Sequence, residues 1–135
     1  MIGIDTNVLV RHVSHDDQVQ AEIAERFLST LTREDPGFVS LATLLEVVWT
    51  LNRTYKLELG SISRFIHGLL TSEQIIVQAP DVVRRALDHA LDTPGGFADA
   101  VIGLLGIDAG CDYTVTFDKR AARLPGMKLL ESVEA

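Results

Sequence analysis

Short apolar runs alternate along this chain with longer segments of helical periodicity, and this alternation restricts the fold more than any other feature. β-branched and aromatic residues predict strands at Ile2 to Asp5, Phe38 to Ser40, Gln74 to Gln78, Thr114 to Phe117 and Lys128 to Leu130. Helices are predicted over Asp16 to Leu31, Leu41 to Asn52, Gly60 to about Leu70, Pro80 to about Leu91, Phe97 to Asp108 and Lys119 to Leu124. This order indicates an α/β fold with a mostly parallel central sheet.

The spacing of apolar residues also predicts which faces are buried. One helix face is expected to carry Val19, Ile23, Phe27 and Leu31, and a second Leu44, Leu45, Val48 and Leu51. The run Ile75-Ile76-Val77 is typical of a buried parallel strand. Turns are predicted at Glu34 to Gly37 and Thr93 to Gly96, where proline and glycine cluster.

The length of 135 residues predicts one compact domain spanning 1–135. A single cysteine, Cys111, excludes an intrachain disulfide, fits a reducing cytoplasm, and is expected to be a small buried hydrophobe. No secretory signal is expected at the N-terminus. The longest apolar stretch, Val39 to Leu51, is interrupted by Glu46 and is too short to span a bilayer, so no membrane is expected as a partner.

The net charge of −7 argues against a nucleic-acid-binding protein, because such proteins usually present a basic surface. Two physical effects weaken that objection. A bound metal neutralises acids that surround it, and a local basic rim acts even when the whole chain is acidic. The charge count therefore leaves a metal-dependent nuclease open.

Two acids, Asp5 and Asp118, stand at the ends of predicted strands. In parallel sheets, ligands bind beyond the carboxyl ends of the strands, so both acids are expected at one edge of the sheet. Both also have a simpler interpretation as caps of the helices that follow them. Thr116 would point to the same side as Asp118, where its hydroxyl suits a metal-bound water.

Glu46 and Asp99 lie on predicted helices. Glu46 has apolar neighbours on both sides, and a carboxylate buried in such company costs several kcal/mol, roughly, unless it is paired or binds metal. The alternative is a surface residue of an amphipathic helix. Asp99 lies in a first helical turn, where the helix dipole favours acids, but its helix carries small residues that allow close packing.

The four acids, Asp5, Glu46, Asp99 and Asp118, are better explained by one site than by four separate caps. Converging carboxylates repel, so a divalent cation is expected among them. Oxygen ligands without histidine or cysteine select Mg²⁺ or Mn²⁺ over zinc. Such a metal polarises a phosphoryl oxygen and activates a water that attacks phosphorus in line.

At these residues the sequence resembles the PIN-domain nucleases, and within them the VapC-type toxins of bacterial toxin–antitoxin pairs. The opening Met1 to Val10 looks like the family's first motif. The second, third and fourth acids are matched by Leu45-Glu46-Val47, Phe97-Ala98-Asp99-Ala100 and Thr116-Phe117-Asp118. The motifs follow the family's order over nearly the whole chain, and it is this ordered set that makes the resemblance specific.

The resemblance implies a three-layer α/β/α sandwich and a cytoplasmic ribonuclease that cuts structured RNA with Mg²⁺ or Mn²⁺. It implies that Asn7 and Thr116, together with Thr6, support the four acids. It further implies a homodimer, or a higher-order toxin–antitoxin complex, held inactive by a VapB-type antitoxin. Gly103 departs from the pattern, since the family often has alanine there, and this loosens the third motif.

Basic residues near the motifs are candidates for contacts with RNA phosphates. Lys119 and Arg120 directly follow Asp118 and are the first choice, with Arg11 and Arg53 as further candidates. The alternative for each is an ordinary solvated charge. Two aromatic residues, Trp49 and Phe97, are expected in the core or in an interface, and His12 and His15 are expected to be surface or capping residues rather than metal ligands.

Two rival functions use similar residues. Asp-based phosphatase or phosphoacceptor domains need a second acid close to a nucleophilic Asp, and Asn7 occupies that position here. A catalytically silent PIN-fold binding module would engage an antitoxin or RNA without cleaving it. Retention of all four acids argues against that module, because burying unneeded acids is costly.

Overall fold

The computed structural model describes residues 1–90 and 96–131, in which helices and strands alternate. The strands are β1 (Ile2–Gly3), β2 (Gly37–Val39), β3 (Ile75–Val77), β4 (Thr114–Thr116) and β5 (Met127–Leu129). The helices are α1 (Thr6–Ser14), α2 (Gln18–Ser29), α3 (Leu41–Arg53), α4 (Leu59–Thr71), α5 (Pro80–Ala90) and α6 (Gly96–Asp108), with a 3-10 turn at Ala121–Arg123. Strand pairing in the described residues is parallel throughout, so the α/β class is confirmed.

The chain forms two compact units, Met1–Pro80 and Asp81–Ala135, which are described in turn. One domain spanning 1–135 stays a prediction. None of the helices within the described residues has the length and apolarity needed to cross a membrane. Leu91 and the predicted loop residues Thr93 to Gly95 lie outside the described residues.

The first unit contains a three-stranded sheet in the order β1-β2-β3. Ile2 pairs with Gly37 in the register, and Phe38 pairs with Ile76. Hydrogen bonding continues one residue beyond β1, since the N–H of Ile4 donates to the carbonyl of Phe38 at 2.9 Å. Asp5 is therefore the residue at which the chain leaves the carboxyl end of this sheet.

Three polar side chains start the first three helices. Asp5 accepts from the N–H of Thr6, Asp17 from that of Gln20, and Ser40 from that of Thr43, which satisfies N–H groups that a helix cannot bond internally. The helix expected from Asp16 begins two residues later for this reason, because Asp17 is its cap. α1 begins directly after β1, so the first acid lies at a junction of strand and helix.

The buried faces agree with prediction in α3 and differ in α2. Buried residues of α3 are Leu44, Val47, Val48 and Leu51, with Val47 in the place predicted for the half-buried Leu45. For the face predicted over α2, Leu31 is buried and Phe27 is half-buried, but Val19 and Ile23 are exposed, while Ala21 and Ala24 are buried. α2 packs on α1, and the two alanines allow the close approach that leaves the larger side chains outside.

Edge position explains a second difference in the first unit. β3 lies at the edge of its sheet, and Ile76 is exposed although its neighbour Val77 is buried. Side chains of successive strand residues point to opposite faces, so a continuous apolar run need not be buried throughout. The expectation of a fully buried strand was therefore wrong for Ile76.

The second unit contains β4 and β5, with Thr114 opposite Met127 and Thr116 opposite Leu129. α6 packs against β4, and a Cβ added at Gly106 would lie 2.5 Å from the Thr114 Oγ1. Cys111 is exposed, so the prediction of a buried thiol was wrong. Its position explains this, since it follows α6 in the turn that leads to β4.

β1 and β4 belong to different sheets among the described residues. Asp5 follows the first and Asp118 follows the second, so each acid stands at the carboxyl end of its own sheet. The short helix predicted over Lys119 to Leu124 is the 3-10 turn Ala121–Arg123. In each sheet, therefore, one acid lies in the segment that follows a strand.

The space around Gly103 shows how closely α6 packs against the Pro125–Met127 segment. A Cβ added there would lie 2.5 Å from the carbonyl oxygen of Pro125 and 3.1 Å from the Met127 Cγ. We expect Gly103→Ala to lower the free energy of unfolding by about 1–3 kcal/mol, as overpacking does. Urea denaturation measures this.

Gly68→Ala is the matched control for this substitution. A Cβ at Gly68 in α4 has no atom within 4 Å, so alanine there should stabilise the helix by about 0.5–1 kcal/mol. If Gly103→Ala unfolded at the same urea concentration as the parent protein, the close approach of α6 to the Pro125–Met127 segment would be wrong.

Candidate active site

The first pair of acids, Asp5 and Glu46, is connected through Thr6. Asp5 has an extended backbone, and its Oδ1 accepts a hydrogen bond from the Thr6 N–H at 2.7 Å. The Thr6 hydroxyl donates to the Glu46 Oε1 at 3.2 Å. One residue therefore bonds both carboxylates, and it positions Glu46 of α3 beside the start of α1.

Both acids line a groove between α1 and α3, here called the α1–α3 groove. Its lining residues are Asp5, Thr6, Asn7, Val10, Arg11, Glu46, Thr50, Thr54 and Tyr55. The hydroxyls of Thr50 and Thr54 continue from Glu46 at intervals of four residues, which is one face of a helix. Sequence reasoning singled out only Glu46 on this face, although the spacing was available as a signal.

Glu46 is exposed, so its predicted burial among apolar neighbours was wrong. The buried side of α3 is formed by other residues, and Trp49, which follows in the same turn, is 60% exposed. Because Glu46 is exposed, the free-energy cost of burying a carboxylate gives no reason to assign it a function. The reasons to assign Glu46 a function are its position in the α1–α3 groove and its hydrogen bond with Thr6.

Arg11 lies farther along the same groove in a fixed orientation. Its Nε donates to the Gln20 Oε1 at 2.7 Å and its Nη1 donates to the Tyr55 hydroxyl at 2.9 Å. Tyr55 in turn donates to the Asp16 Oδ2 at 2.8 Å. The hydrogen bond with Tyr55 raises the pKa of Arg11 and lowers the pKa of Asp16. Arg11 is therefore a permanent cation with a structural partner that the sequence did not reveal.

The second pair of acids is Asp99 and Asp118. Asp99 lies in the first turn of α6 and is half-buried. Burial raises the pKa of Asp99, and the negative charge of Asp118 raises it further. The charge of Asp118 therefore acts on the Asp99 carboxyl, and a cation bound beside Asp99 would favour its ionised form.

Asp118 is held by backbone hydrogen bonds on both sides. Its Oδ1 accepts from the N–H of Arg120 at 2.8 Å and of Ala121 at 3.2 Å. Its own N–H donates to the Thr116 Oγ1 at 3.1 Å. The capping interpretation is confirmed for Asp5. Asp118 bonds two N–H groups at the start of the 3-10 turn, but the residue that caps this turn is Arg120. The Thr116 hydroxyl thus accepts a hydrogen bond from the backbone of Asp118.

Capping leaves carboxylate oxygens available. Within the described residues, no hydrogen bond reaches Asp5 Oδ2, Glu46 Oε2, Asp118 Oδ2 or either oxygen of Asp99. Those residues contain no group of three or more acids, histidines or cysteines that could hold a metal ion. Asp5 and Glu46 belong to the first unit, and Asp99 and Asp118 to the second. Carboxylate pairs suit Mg²⁺, which is commonly bound through one or two carboxylates and keeps several waters.

The remaining candidates have varied surroundings. Asn7 is exposed in the α1–α3 groove, and Lys119 and Arg120 are exposed after Asp118. Arg53 lies over the Trp49 ring, with its Cζ 6.0 Å from the centroid, so a core position for Trp49 is excluded. Phe97 is buried, as predicted. His12 is half-buried, and its Nδ1 is hydrogen-bonded with the Glu25 Oε1.

Comparison with known proteins agrees with these motifs. Residues 2–127 match the PIN domain family. The chain belongs to the PIN domain family. It is also 26% identical over 132 residues to a VapC ribonuclease of Aquifex aeolicus, an alignment that covers 97% of this chain and 96% of that protein. The resemblance drawn from the ordered acids is thereby confirmed.

Asp99→Asn is expected to stabilise the metal-free protein at neutral pH. The folded state raises the pKa of Asp99, so ionising this carboxyl costs stability, and the cost is present only above its pKa. Asparagine removes the charge and the repulsion from Asp118. Thermal unfolding in EDTA should therefore show a higher midpoint for the variant at pH 7, and the difference should vanish as the pH falls below the ordinary range of aspartate. A difference that persists at pH 3 would contradict this electrostatic cause.

Proposed function

We propose that this protein is a metal-dependent endoribonuclease and the toxin of a toxin–antitoxin pair, with Asp5, Glu46, Asp99 and Asp118 as its catalytic acids. The observation that carries the proposal is that all four acids of the PIN motifs retain at least one carboxylate oxygen without a hydrogen bond among the described residues. A carboxylate that only caps a helix does not need a free oxygen, whereas a carboxylate that binds a hard cation does.

Both pairs of acids are proposed to serve one metal-dependent step, as their order in the family motifs suggests. Mg²⁺ or Mn²⁺ held by these carboxylates supplies polarisation of the phosphodiester and activation of the attacking water. Thr6 holds Glu46, and Thr116 holds the backbone of Asp118, so both acids are oriented before substrate binds. Asn7 lines the α1–α3 groove, and its proposed role is to support the acids there.

RNA phosphates are proposed to contact Lys119 and Arg120 first. Both are exposed and directly follow Asp118, whereas Arg11 is already bonded to Gln20 and Tyr55, and Arg53 lies over Trp49. A guanidinium held by neighbours still offers its remaining N–H groups to a phosphate. Arg11 is therefore retained as a second contact at the far end of the groove.

The partners are proposed from similarity to the Aquifex aeolicus protein, which is named a VapC ribonuclease. That similarity supports RNA as the substrate and a VapB-type antitoxin as the inhibitor of this chain. A homodimer, or a larger complex with the antitoxin, is proposed in the cytoplasm. Exposed apolar residues such as Trp49 and Ile23 are available for such contacts.

Metal removal tests the chemistry. We expect the purified protein to cleave RNA in the presence of Mg²⁺ or Mn²⁺ and to stop when EDTA is added, with activity restored by excess cation. Gel electrophoresis of a labelled RNA measures the products. Cleavage that continues unchanged in EDTA would exclude the metal, and binding of RNA with no turnover under any condition would favour a silent binding module.

Asp5 offers a test that separates capping from catalysis. Asp5→Asn keeps an oxygen that accepts from the Thr6 N–H, so we expect little change in the unfolding midpoint. Cleavage should fall by at least roughly 100-fold, since even residues behind a metal ligand are worth about 10–100-fold.

Asp5→Ala is the matched comparison. It removes both roles, so it should also lose about 1 kcal/mol of stability with the cap. Thermal unfolding and RNA cleavage, measured on the same preparations, distinguish the two variants. Wild-type cleavage by Asp5→Asn would show that this acid is only a cap.

A further inference from the structure

Arg11 in α1 is held by partners from three other segments of the first unit. Its Nε donates to the Gln20 Oε1 of α2 at 2.7 Å, and its Nη1 donates to the Tyr55 hydroxyl at 2.9 Å. Nη1 also lies 3.4 Å from the Asp16 Oδ1, in an ion pair. An arginine side chain normally loses conformational entropy when a ligand fixes it. In this protein the side chain is already ordered before any ligand binds.

The Tyr55 hydroxyl is itself held by Asp16. It donates to the Asp16 Oδ2 at 2.8 Å, and the Asp16 Oδ1 accepts from the Ser14 hydroxyl at 2.9 Å. A phenol has only one proton to donate, and in Tyr55 that proton is directed to Asp16. The lone pairs of the oxygen are therefore left for the guanidinium, so Tyr55 acts on Arg11 as an acceptor that keeps Nη1 in one place.

The backbone that follows Tyr55 is fixed as well. Lys56 has a φ of 57°, in the left-handed region that residues other than glycine rarely adopt. Leu57 then donates its N–H to the Leu51 carbonyl at 2.9 Å, and its own carbonyl accepts from the Asn52 Nδ2 at 3.1 Å. A strained backbone conformation persists only where the surrounding structure determines it, and such residues cluster at functional sites. The turn therefore gives the neighbouring phenol a defined direction.

The Nη2 group of Arg11 remains for a ligand, since it makes no hydrogen bond within the described residues. Arg11 lines the α1–α3 groove together with Asp5 and Glu46. It lies six positions after Asp5, and Tyr55 lies nine positions after Glu46. At a rise of about 1.5 Å per residue, these are separations of about 9 Å and about 13 Å along the two helices. An anion bound by Nη2 is therefore separate from an anion held at the acids.

We propose that Tyr55 is a positioning residue, which fixes the Arg11 guanidinium so that its Nη2 binds an RNA phosphate other than the one at the bond that is cut. The proposal rests on the ribonuclease function above and adds how the substrate is held away from the acids. Tyr55 does not touch the substrate and acts only through Arg11. A guanidinium that is already oriented loses less entropy when it binds a phosphate, so RNA affinity depends on the phenol hydroxyl.

The alternative is a network that only holds the helices together. The placement of the free group favours positioning, because the protein's own acceptors occupy Nε and Nη1 and leave Nη2 to a residue that lines the groove of the proposed acids. The Arg11 side chain is 27% exposed, so it is ordered without being withdrawn from solvent. A cation that is both ordered and accessible suits recognition of an anion.

RNA affinity measured without cleavage tests Tyr55. The probe is a fluorescein-labelled single-stranded RNA of about 12 nucleotides, titrated with the full chain in EDTA and followed by anisotropy. Tyr55→Phe removes only the hydroxyl and should weaken binding about threefold to tenfold, the range for one hydrogen bond. Arg11→Gln should weaken binding at least as much and reduce the slope of log affinity against log salt by about 0.7, the value for one phosphate contact. Unchanged affinity in Tyr55→Phe would overturn the proposal.

The double substitution decides whether Tyr55 acts through Arg11. In the Arg11→Gln background, Tyr55→Phe should have no further effect on RNA affinity, because no guanidinium is left to orient. A tyrosine with a structural role alone would change affinity by the same factor in both backgrounds, and that result would overturn the proposal.

Two further variants serve as controls. Tyr113→Phe makes the same chemical change at the other tyrosine, whose hydroxyl forms no hydrogen bond within the described residues, and should leave RNA affinity unchanged. Asp16→Asn keeps an oxygen that accepts from the Tyr55 hydroxyl and removes the negative charge beside Arg11, so affinity should not fall. A loss of affinity in Asp16→Asn as large as in Tyr55→Phe would assign the positioning to the ion pair instead.

Cleavage kinetics separate this proposal from the proposed function. In Mg²⁺ or Mn²⁺, Tyr55→Phe should raise the KM for RNA and leave kcat unchanged, because the phosphate held by Arg11 is not the one that reacts. A lower kcat with an unchanged KM would place Arg11 at the reacting phosphate and overturn the proposal. RNA binding that depends on Tyr55 through Arg11, without any cleavage, would support the positioning role and overturn the nuclease. Cleavage with unchanged KM and affinity in Tyr55→Phe would do the reverse.

Discussion

The backbone hydrogen bonds that Asp5 and Asp118 accept are the interactions on which the candidate site depends. Each acid ends a strand and uses one oxygen to bond N–H groups of the segment that follows. This arrangement fixes the direction of the second oxygen without consuming it. Hydrogen bonding to the backbone through one oxygen and the ligand binding proposed for the other oxygen are therefore compatible rather than competing explanations.

The assignment of the four acids to one site stays a prediction. Sequence patterns predicted the strands and most of the helices, because these depend on local residue order, but they gave no helix for α1 (Thr6–Ser14). They failed to predict which side chains are exposed, because exposure depends on which other elements a helix or strand packs against. Ile23 of α2 is exposed because alanines form the side of this helix that faces α1. Glu46 is exposed because other residues form the buried face of α3. Tyr55 was missed because its partners, Arg11 and Asp16, are distant in sequence.

Electrostatics resolves the conflict between an acidic chain and an anionic substrate. Charge is segregated, with acids at the proposed metal ligands and unpaired cations following Asp118. Burial raises the pKa of Asp99, and repulsion from Asp118 raises it further. A bound cation would relieve this repulsion, and the attraction for RNA is then governed by the local cations rather than by the net charge.

Hydrogen bonds between side chains connect the two sides of the α1–α3 groove at both of its ends. Thr6 joins Glu46 at one end, and Arg11 joins Tyr55, just beyond α3, at the other. Neither helix can move away from its neighbour without breaking one of these bonds. These two hydrogen bonds limit how far the helices separate, so a ligand of the groove would lose less of its binding energy to ordering them.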